Sequence, residues 1–336
     1  MGKFLLKRIL FGVIVLFGVI TITFLTTRVL PSDPAARWVG PRATREQIAQ
    51  ATIDLGLDQP IRVQYARYIG DLLQGDLGRS LRSRQPVMTE LLIFLPATLE
   101  LVLISTVLAV LAGIPLGVFS AKRKDKLPDH ICRFFSIGAV SLPTFWVGMF
   151  LQLLFFGTLG WLPLGSRLSI ETSILYNVPN ITGFIIFDSL ITGNFAIAGD
   201  AARHIILPCI TLALYPIGLV ARMTRSALLE ILGEDYIAAA RSYAIPELKV
   251  IWSYALKNSL GPTATVLTLS IGYTLVNTFL VEAIFSWPGI GMYISTAVVT
   301  MDYPAIMGVT IFSTCAYVLL NLIADIIVAL DPRVRI

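Results

Sequence analysis

The chain of 336 residues is 56% hydrophobic and only 14% charged, with a net charge of +5 and a mean hydropathy of +0.78. Soluble domains carry about 25% charged residues, so this composition excludes a water-soluble globular protein and points to a polytopic membrane protein. The positive balance does not speak for a nucleic-acid partner, because the basic residues gather at the inner edges of apolar segments, where membrane topology alone explains them.

In chain order, Lys3, Lys7 and Arg8 precede an apolar run from Ile9 to Val29. That run is long for a signal peptide and ends at LPSDP (30–34) without a small-residue cleavage site, so it reads as a retained first span with its N-terminus inside. Residues 31–95 form a polar excursion in which Thr44 and Gln47 have the form of a capping box. Residues 61–73 show helical spacing, and GDLGRS at 75–80 reads as a turn. The excursion is too polar to span a bilayer and reads as a small helical extracytoplasmic cap. Leu99–Phe119 is the second span, closed on the inside by the four cations of AKRKDK at 121–126.

Ile131–Leu159 is the third span, which Pro143 in SLPTFW should kink, since proline lacks an amide hydrogen. A second outer excursion covers 160–204, with Trp161 suited to the membrane interface. Ile205–Leu228 is the fourth span, kinked at Pro208 and Pro216; Thr263–Phe285 is the fifth; SWPGIG at 286–291 is an outer turn; Pro304–Leu330 is the sixth. The expected fold class is an all-α integral membrane protein of six transmembrane helices in membrane lipid, with both termini cytoplasmic. Fifteen of the 26 Lys and Arg then lie inside, and most of the others fall in a long outer loop that crosses regardless of charge.

No Walker A loop, HExxH or GxSxG motif is present. The two histidines, His130 and His204, lack evident ligand partners, and from Cys132, Cys209 and Cys315, far apart in the sequence, no metal spacing and no disulfide framework can be read. No catalytic residue, metal site or cofactor of its own is therefore expected. Ionisable residues in the apolar segments are few: Glu100, Glu282 and Asp325, each near a helix end, where a snorkelling side chain is inexpensive. A pathway of kinked helices without a coupling carboxylate must draw its energy from elsewhere. The alternative, an ion- or proton-coupled secondary transporter, needs midplane charges or repeated broken helices.

The longest polar interruption of the apolar second half is EDYIAAARSYAIPELKVIWSYALKNSLGP at 234–262, which Arg225, Arg241, Lys249 and Lys257 place inside. Within it, Tyr236–Ala244 reads as a short helix whose Ala238, Ala239 and Ala240 carry little bulk, a handle for a cytosolic partner.

Many short stretches, in order, resemble the membrane permease of a binding-protein-dependent ABC importer of the dipeptide/oligopeptide/nickel branch. They include LPSDP, LGLDQP (55–60), GDLGRS, PATLEL (96–101), GIPLGVFSA (113–121), SLPTFWVG (141–148), GWLPLG (160–165) and LPCITLAL (207–214). ARMTRSALLEILGEDYI (221–237), EAIFSWPGIG (282–291), DYP (302–304), NLIADI (321–326) and DPRVR (331–335) complete the series. The dipeptide permeases are the nearest subgroup.

This resemblance implies a type I importer permease fold: an N-terminal helix at 1–30, a periplasmic excursion at 31–95, a core permease domain at 96–330 and a cytoplasmic tail at 331–336. A coupling loop at 229–258 would carry a helix, about Asp235 to Tyr243, that docks into an ATPase subunit. The implied partners are a second homologous permease subunit, two ATP-binding subunits that hold ATP and Mg, and a periplasmic solute-binding protein, all at the bacterial inner membrane. The general importer signature, E-A-A-x3-G, is met poorly: Ala238 replaces the acid, Ala239 and Ala240 agree, and Ala244 replaces the glycine. The peptide-branch form fits better, through Asp235, Tyr236, Ile237, Ala240 and Arg241, then Ala255, Leu256, Asn258 and Pro262. A bulky charge at Ala239 or Ala240 is expected to uncouple transport without harming the fold. Ala244 should either turn differently from glycine or accept a left-handed backbone at about 1 kcal/mol. Dipeptides or short oligopeptides are the favoured cargo, with nickel chelates, glutathione and opine-like or sugar ligands left open.

Overall fold

The computed structural model describes residues 2–29, 34–40 and 42–330. Most of the LPSDP stretch and all of DPRVR and the 331–336 tail lie outside the described residues. Among the described residues there is one isolated antiparallel bridge, Arg79 to Pro86, and no sheet. The all-α class is therefore met.

Helix α1 (Gly2–Val29) is followed by three short helices, α2 (Pro34–Val39), α3 (Arg45–Asp54) and α4 (Ile61–Leu73). The capping box of α3 forms as expected: the Thr44 hydroxyl accepts from the Gln47 amide, and the Thr44 amide donates to the Gln47 side chain at 2.9 Å. Next come α5 (Val87–Lys122), α6 (Leu127–Ser141) and α7 (Thr144–Leu151), the last continued by a π-helical turn over Gln152–Thr158. The short α8 (Ile170–Leu175) and α9 (Ile185–Ile191) precede the long α10 (Phe195–Ile231). After it come α11 (Asp235–Ser242), the single turn α12 (Glu247–Lys249), a second π segment (Val250–Ala255), α13 (Leu256–Ile284), α14 (Ile290–Thr300) and α15 (Tyr303–Leu330).

Among the described residues, five helical stretches are long and apolar enough to cross a bilayer: Leu6–Thr27, Val87–Lys122, Phe195–Ile231, Glu247–Ile284 and Tyr303–Ile323. The third expected span differs. Instead of one kinked helix over Ile131–Leu159, α6 and α7 meet at an angle of 106°. The break falls at Leu142–Pro143, where Leu142 takes the extended backbone that a residue before proline favours, at φ −79°, ψ 135°. Pro208 and Pro216, by contrast, lie within an α10 that stays one helix. Helix α5 begins at Val87 rather than Leu99, running through Pro96. Helix α14 was not foreseen; it starts from Gly289 and ends where Met301 turns left-handed at φ +51°.

The described residues divide into two compact units, one within 2–96 and 289–318 and the other within 97–288 and 319–330. In the first, an apolar cluster centres on Val87, Leu91, Ala305 and Val309. Asp302 ties the turn after GDLG to it, accepting from the Ser80 hydroxyl at 2.5 Å and from the Leu81 amide at 3.0 Å. Phe24 of α1 packs edge-on to Tyr65 and stacks on Tyr68 of α4.

In the second unit, Leu101, Leu207, Leu212, Phe285 and Trp287 form one cluster. A separate cluster, built from Val118, Leu228, Ile237, Val250, Ile251 and Leu256, underlies the 234–262 stretch. Glycines set the helix spacing. A methyl on Gly113 or Gly117 would fall within 2.8 Å of Val220 or 2.6 Å of the Ala221 carbonyl oxygen, so α5 and α10 touch backbone to backbone. A methyl on Gly218 would likewise meet the Ser136 carbonyl oxygen at 2.7 Å, drawing α10 against α6.

Candidate functional site

The 234–262 stretch is built around α11. Its start follows from the chain: Gly233 closes the turn after α10, Glu234 is extended at φ −77°, ψ 147°, and Asp235 puts a negative charge in the first turn, where the helix dipole favours it. Three consecutive alanines give the segment its helix propensity. Arg241 lies in the last turn, again with the favourable sign.

Ile237 and Ala240, three residues apart and hence on one face, are 0% and 6% exposed. They pack with Val118 and Ala121 of α5, Leu228 of α10, and Val250, Ile251 and Leu256. Asp235, Tyr236, Ala238, Ala239, Arg241 and Ala244 are exposed, as is Tyr243 at 83%. The eight sequence-selected residues thus separate into an anchoring pair and an outward face. Ala240 belongs to the anchor, which corrects the expectation that a charge there would spare the fold. Ala239 keeps that expectation.

The C-terminal end is a Schellman turn. The Ala244 amide donates to the Arg241 carbonyl at 2.9 Å and the Ile245 amide to the Ala240 carbonyl at 3.3 Å. Ala244 itself adopts φ +55°, so the loop keeps the glycine-type turn with an alanine in it. Two side-chain contacts hold the element in place. Arg241 pairs with Glu247 at 2.9 Å, and Asn258 of α13 donates to the Tyr236 hydroxyl at 3.0 Å. The result is a rigid, low-relief surface of small side chains flanked by Tyr243 and by Leu248, which is 66% exposed.

The loop carries no group set up for bond making. Among the described residues no cluster of His, Cys, Asp or Glu is placed to hold a metal ion. What it can offer is shape.

Other ionisable residues take roles that the sequence did not disclose. Glu100 and Glu282 are buried rather than snorkelling. Glu100 is bonded to Arg167 and accepts from the Ile186 amide at 3.0 Å; Glu282 accepts from the Thr98 hydroxyl at 2.7 Å. Asp129 of α6 is fully buried and gripped by both Nε and a terminal nitrogen of Arg225, at 2.7 and 2.6 Å. Arg225 was legible only as a topology marker. The hint for Asp129 was its place in the first turn of a helix opened by Pro128. His130 is exposed beside it, whereas His204 is buried, with Nδ1 2.9 Å from the Asp200 carbonyl oxygen.

In the outer excursion, Asp188 accepts from the amides of Ile181, Thr182 and Gly183 and from the Thr182 hydroxyl at 2.7 Å. Burial works against its charge, but these hydrogen bonds outweigh that and hold its carboxyl below the ordinary range.

Comparison with known proteins bears on the whole chain. Residues 113–336 match the model of the family described as "Binding-protein-dependent transport system inner membrane component", and residues 1–102 match its N-terminal companion, "Binding-prot-dependent transport system membrane comp, N-term". The probable D,D-dipeptide transport system permease protein DdpB of Escherichia coli is 43% identical over 96% of this chain and 94% of its own length. The di/tripeptide transport system permease protein DppB of Pseudomonas aeruginosa is 39% identical over 100% of this chain and 99% of its own. The oligopeptide transport system permease protein AppB of Bacillus subtilis is 34% identical over the full length of both chains.

Proposed function

The chain belongs to the family of binding-protein-dependent transport system inner membrane components, and from that premise we propose that it carries dipeptides or short oligopeptides across the bacterial inner membrane. It is a multi-pass permease subunit of an ABC importer, and its role is translocation rather than catalysis. Family membership leaves no ground for the ion-coupled alternative. The observation that carries the cargo assignment is likeness over nearly the whole chain to permeases named for D,D-dipeptides, di- and tripeptides and oligopeptides.

The working assembly pairs this subunit with a homologous permease, two ATPase subunits that bind ATP and Mg, and a periplasmic binding protein that delivers the peptide. In the membrane, 31–95 forms the periplasmic cap and 96–330 the core permease domain, while loop 229–258 faces the ATPase. Helix α11 docks there through Asp235, Tyr236, Ala238, Ala239 and Arg241, with Ala244 closing the turn. Support for this reading comes from the anchored inner face and bare outer face of α11, which suit a surface that must be rigid and still be covered. A deletion strain complemented with the gene, grown on a dipeptide as sole source of an essential amino acid, tests the cargo. Growth on the free amino acid but not on the dipeptide is the expected deletion phenotype. Undiminished dipeptide uptake overturns the assignment.

A further inference from the structure

We propose that the Asp129–Arg225 ion pair is the joint through which movement of the α11 loop reaches the bent span α6–α7, making both of them positioning residues for transport. This inference rests on α11 being the ATPase-facing element.

The Asp129 carboxylate is 0% exposed and fully bonded. It takes two bonds from Arg225, one from the Ser120 hydroxyl at 2.5 Å and one from the Asp125 amide at 2.9 Å, which fills the four acceptor positions of a carboxylate. Those donors come from three places: the last turn of α5, the cationic turn after it, and α10. Asp125 turns left-handed, at φ +60°, to aim its amide at the site. Asp129 itself lies in the first turn of α6, the helix that runs directly into the 106° bend.

On the other side, Arg225 lies less than two turns before the end of α10 at Ile231. Leu228, between them, is fully buried in the cluster that also receives Ile237 and Ala240 of α11. A displacement of α11 therefore has packed side chains to push on, then the stiff end of α10, then a two-pronged ionic grip on α6. The grip is not isolated. The backbone contact of α5 with α10 at Gly117 and that of α10 with α6 at Gly218 flank it, so the three helices have little freedom to slide past one another. Beyond the bend, α7 continues against α10 and α13, where a methyl on Gly148 would come within 3.3 Å of both Phe285 and Thr211.

Stability alone is a weak reason for such a site, because well-packed apolar residues of similar volume usually do as well as a buried ion pair. A grip with fixed geometry across two helices transmits direction, which apolar packing does less well. Coupling of this kind between sites is worth about 5-fold or more in an equilibrium.

The test uses the assembled importer in lipid nanodiscs, with and without ATP and vanadate, and reads hydrogen exchange by peptide. In the native complex, trapping should slow exchange over residues 235–249 and alter it over 127–141. The double variant Asp129→Asn with Arg225→Gln removes both charges together, so neither is left buried alone. It should keep the change at 235–249 and shrink that at 127–141 by about 5-fold. Arg225→Lys, which preserves the charge and one prong, should fall between, and it decides the matter if the double variant does not assemble. An undiminished response at 127–141 in these variants, or no response there in the native complex, overturns the joint while leaving docking intact. No response at 235–249 in the native complex overturns the docking reading, and the joint with it.

Discussion

The two long polar interruptions of the second half, 160–204 and 234–262, are built on opposite plans. The outer one is tied down by buried and half-buried polar side chains: Asp188 collects three backbone amides, Arg167 joins Glu100 to the Gly183 carbonyl, and the Asp200 carboxylate receives the Ser169 amide at 2.8 Å. The inner one is held from below by apolar side chains, Ile237 and Ala240 of α11 with Val250, Ile251 and Leu256, and on its outer side by the exposed Arg241–Glu247 ion pair and the Asn258–Tyr236 hydrogen bond. A loop knotted through its own backbone is complete as it stands. A loop whose outer face is made of alanines and a bare tyrosine spends its order on presenting a surface, which supports the proposal that the inner loop is the docking element.

Substitutions on adjacent alanines would break this comparison most sharply. Ala240→Glu places a carboxylate in the apolar cluster beneath α11 and should cost about 3 kcal/mol or more, seen as a large fall in the melting temperature and yield of the purified permease. Ala239→Glu, one position earlier, points outward and should change stability by about 0.5 kcal/mol at most. Its effect should fall on retention of the ATPase subunits during purification and on uptake. Equal behaviour of the two variants would mean that the inner and outer faces of α11 are not distinct.

Asp188 tests the outer half. Asp188→Ala leaves three amides and the Thr182 hydroxyl without their acceptor, at a cost of about 1–3 kcal/mol by thermal melting at neutral pH. The sign with pH follows from the depressed pKa of the carboxyl. Its contribution is present above the unfolded value, about 3.9, and is lost as pH falls through the folded value. The gap between wild type and Asp188→Ala should therefore be widest near neutrality and close in strong acid. In the inner loop Asp235 is exposed, and Asp235→Ala should change stability by about 0.5 kcal/mol at most at neutral pH.

How much of this was readable in the residues depends on how local its cause is. Spans were legible because hydropathy integrates over about 20 residues, and the α11 segment because alanines and flanking charges act within a few positions. The difference between Pro143 and the pair Pro208 and Pro216 was not legible, since a proline in a membrane helix is satisfied or not by neighbours far along the chain. Helix α14 was hidden between a turn signal and the proline that opens α15. The burial of Glu282 depends on Thr98, 184 residues away. Glu100 depends likewise on Arg167, 67 residues away, so position near a helix end gave the wrong environment for both. Ile237 and Ala240 were separable from Ala238 and Ala239 in principle, by their spacing of three. With so many small residues around them, only the structure shows which face is covered.

The smallest expected effect is the most specific. Ala244 holds a left-handed backbone at φ +55°, which for a residue with a Cβ costs about 1 kcal/mol. The turn keeps both Schellman hydrogen bonds all the same, so its geometry is imposed by what it joins: the anchored α11 on one side and the Arg241–Glu247 pair on the other. If that is so, Ala244→Gly relieves strain without moving anything and should raise stability by about 0.5–1 kcal/mol, less the entropy that glycine gives the unfolded chain. ATPase retention and uptake should stay at wild-type levels. A gain in stability accompanied by a change in uptake would show that the strain at Ala244 serves transport rather than merely being tolerated, and the inner loop would then differ from the outer one in stored energy as well as in its bare face.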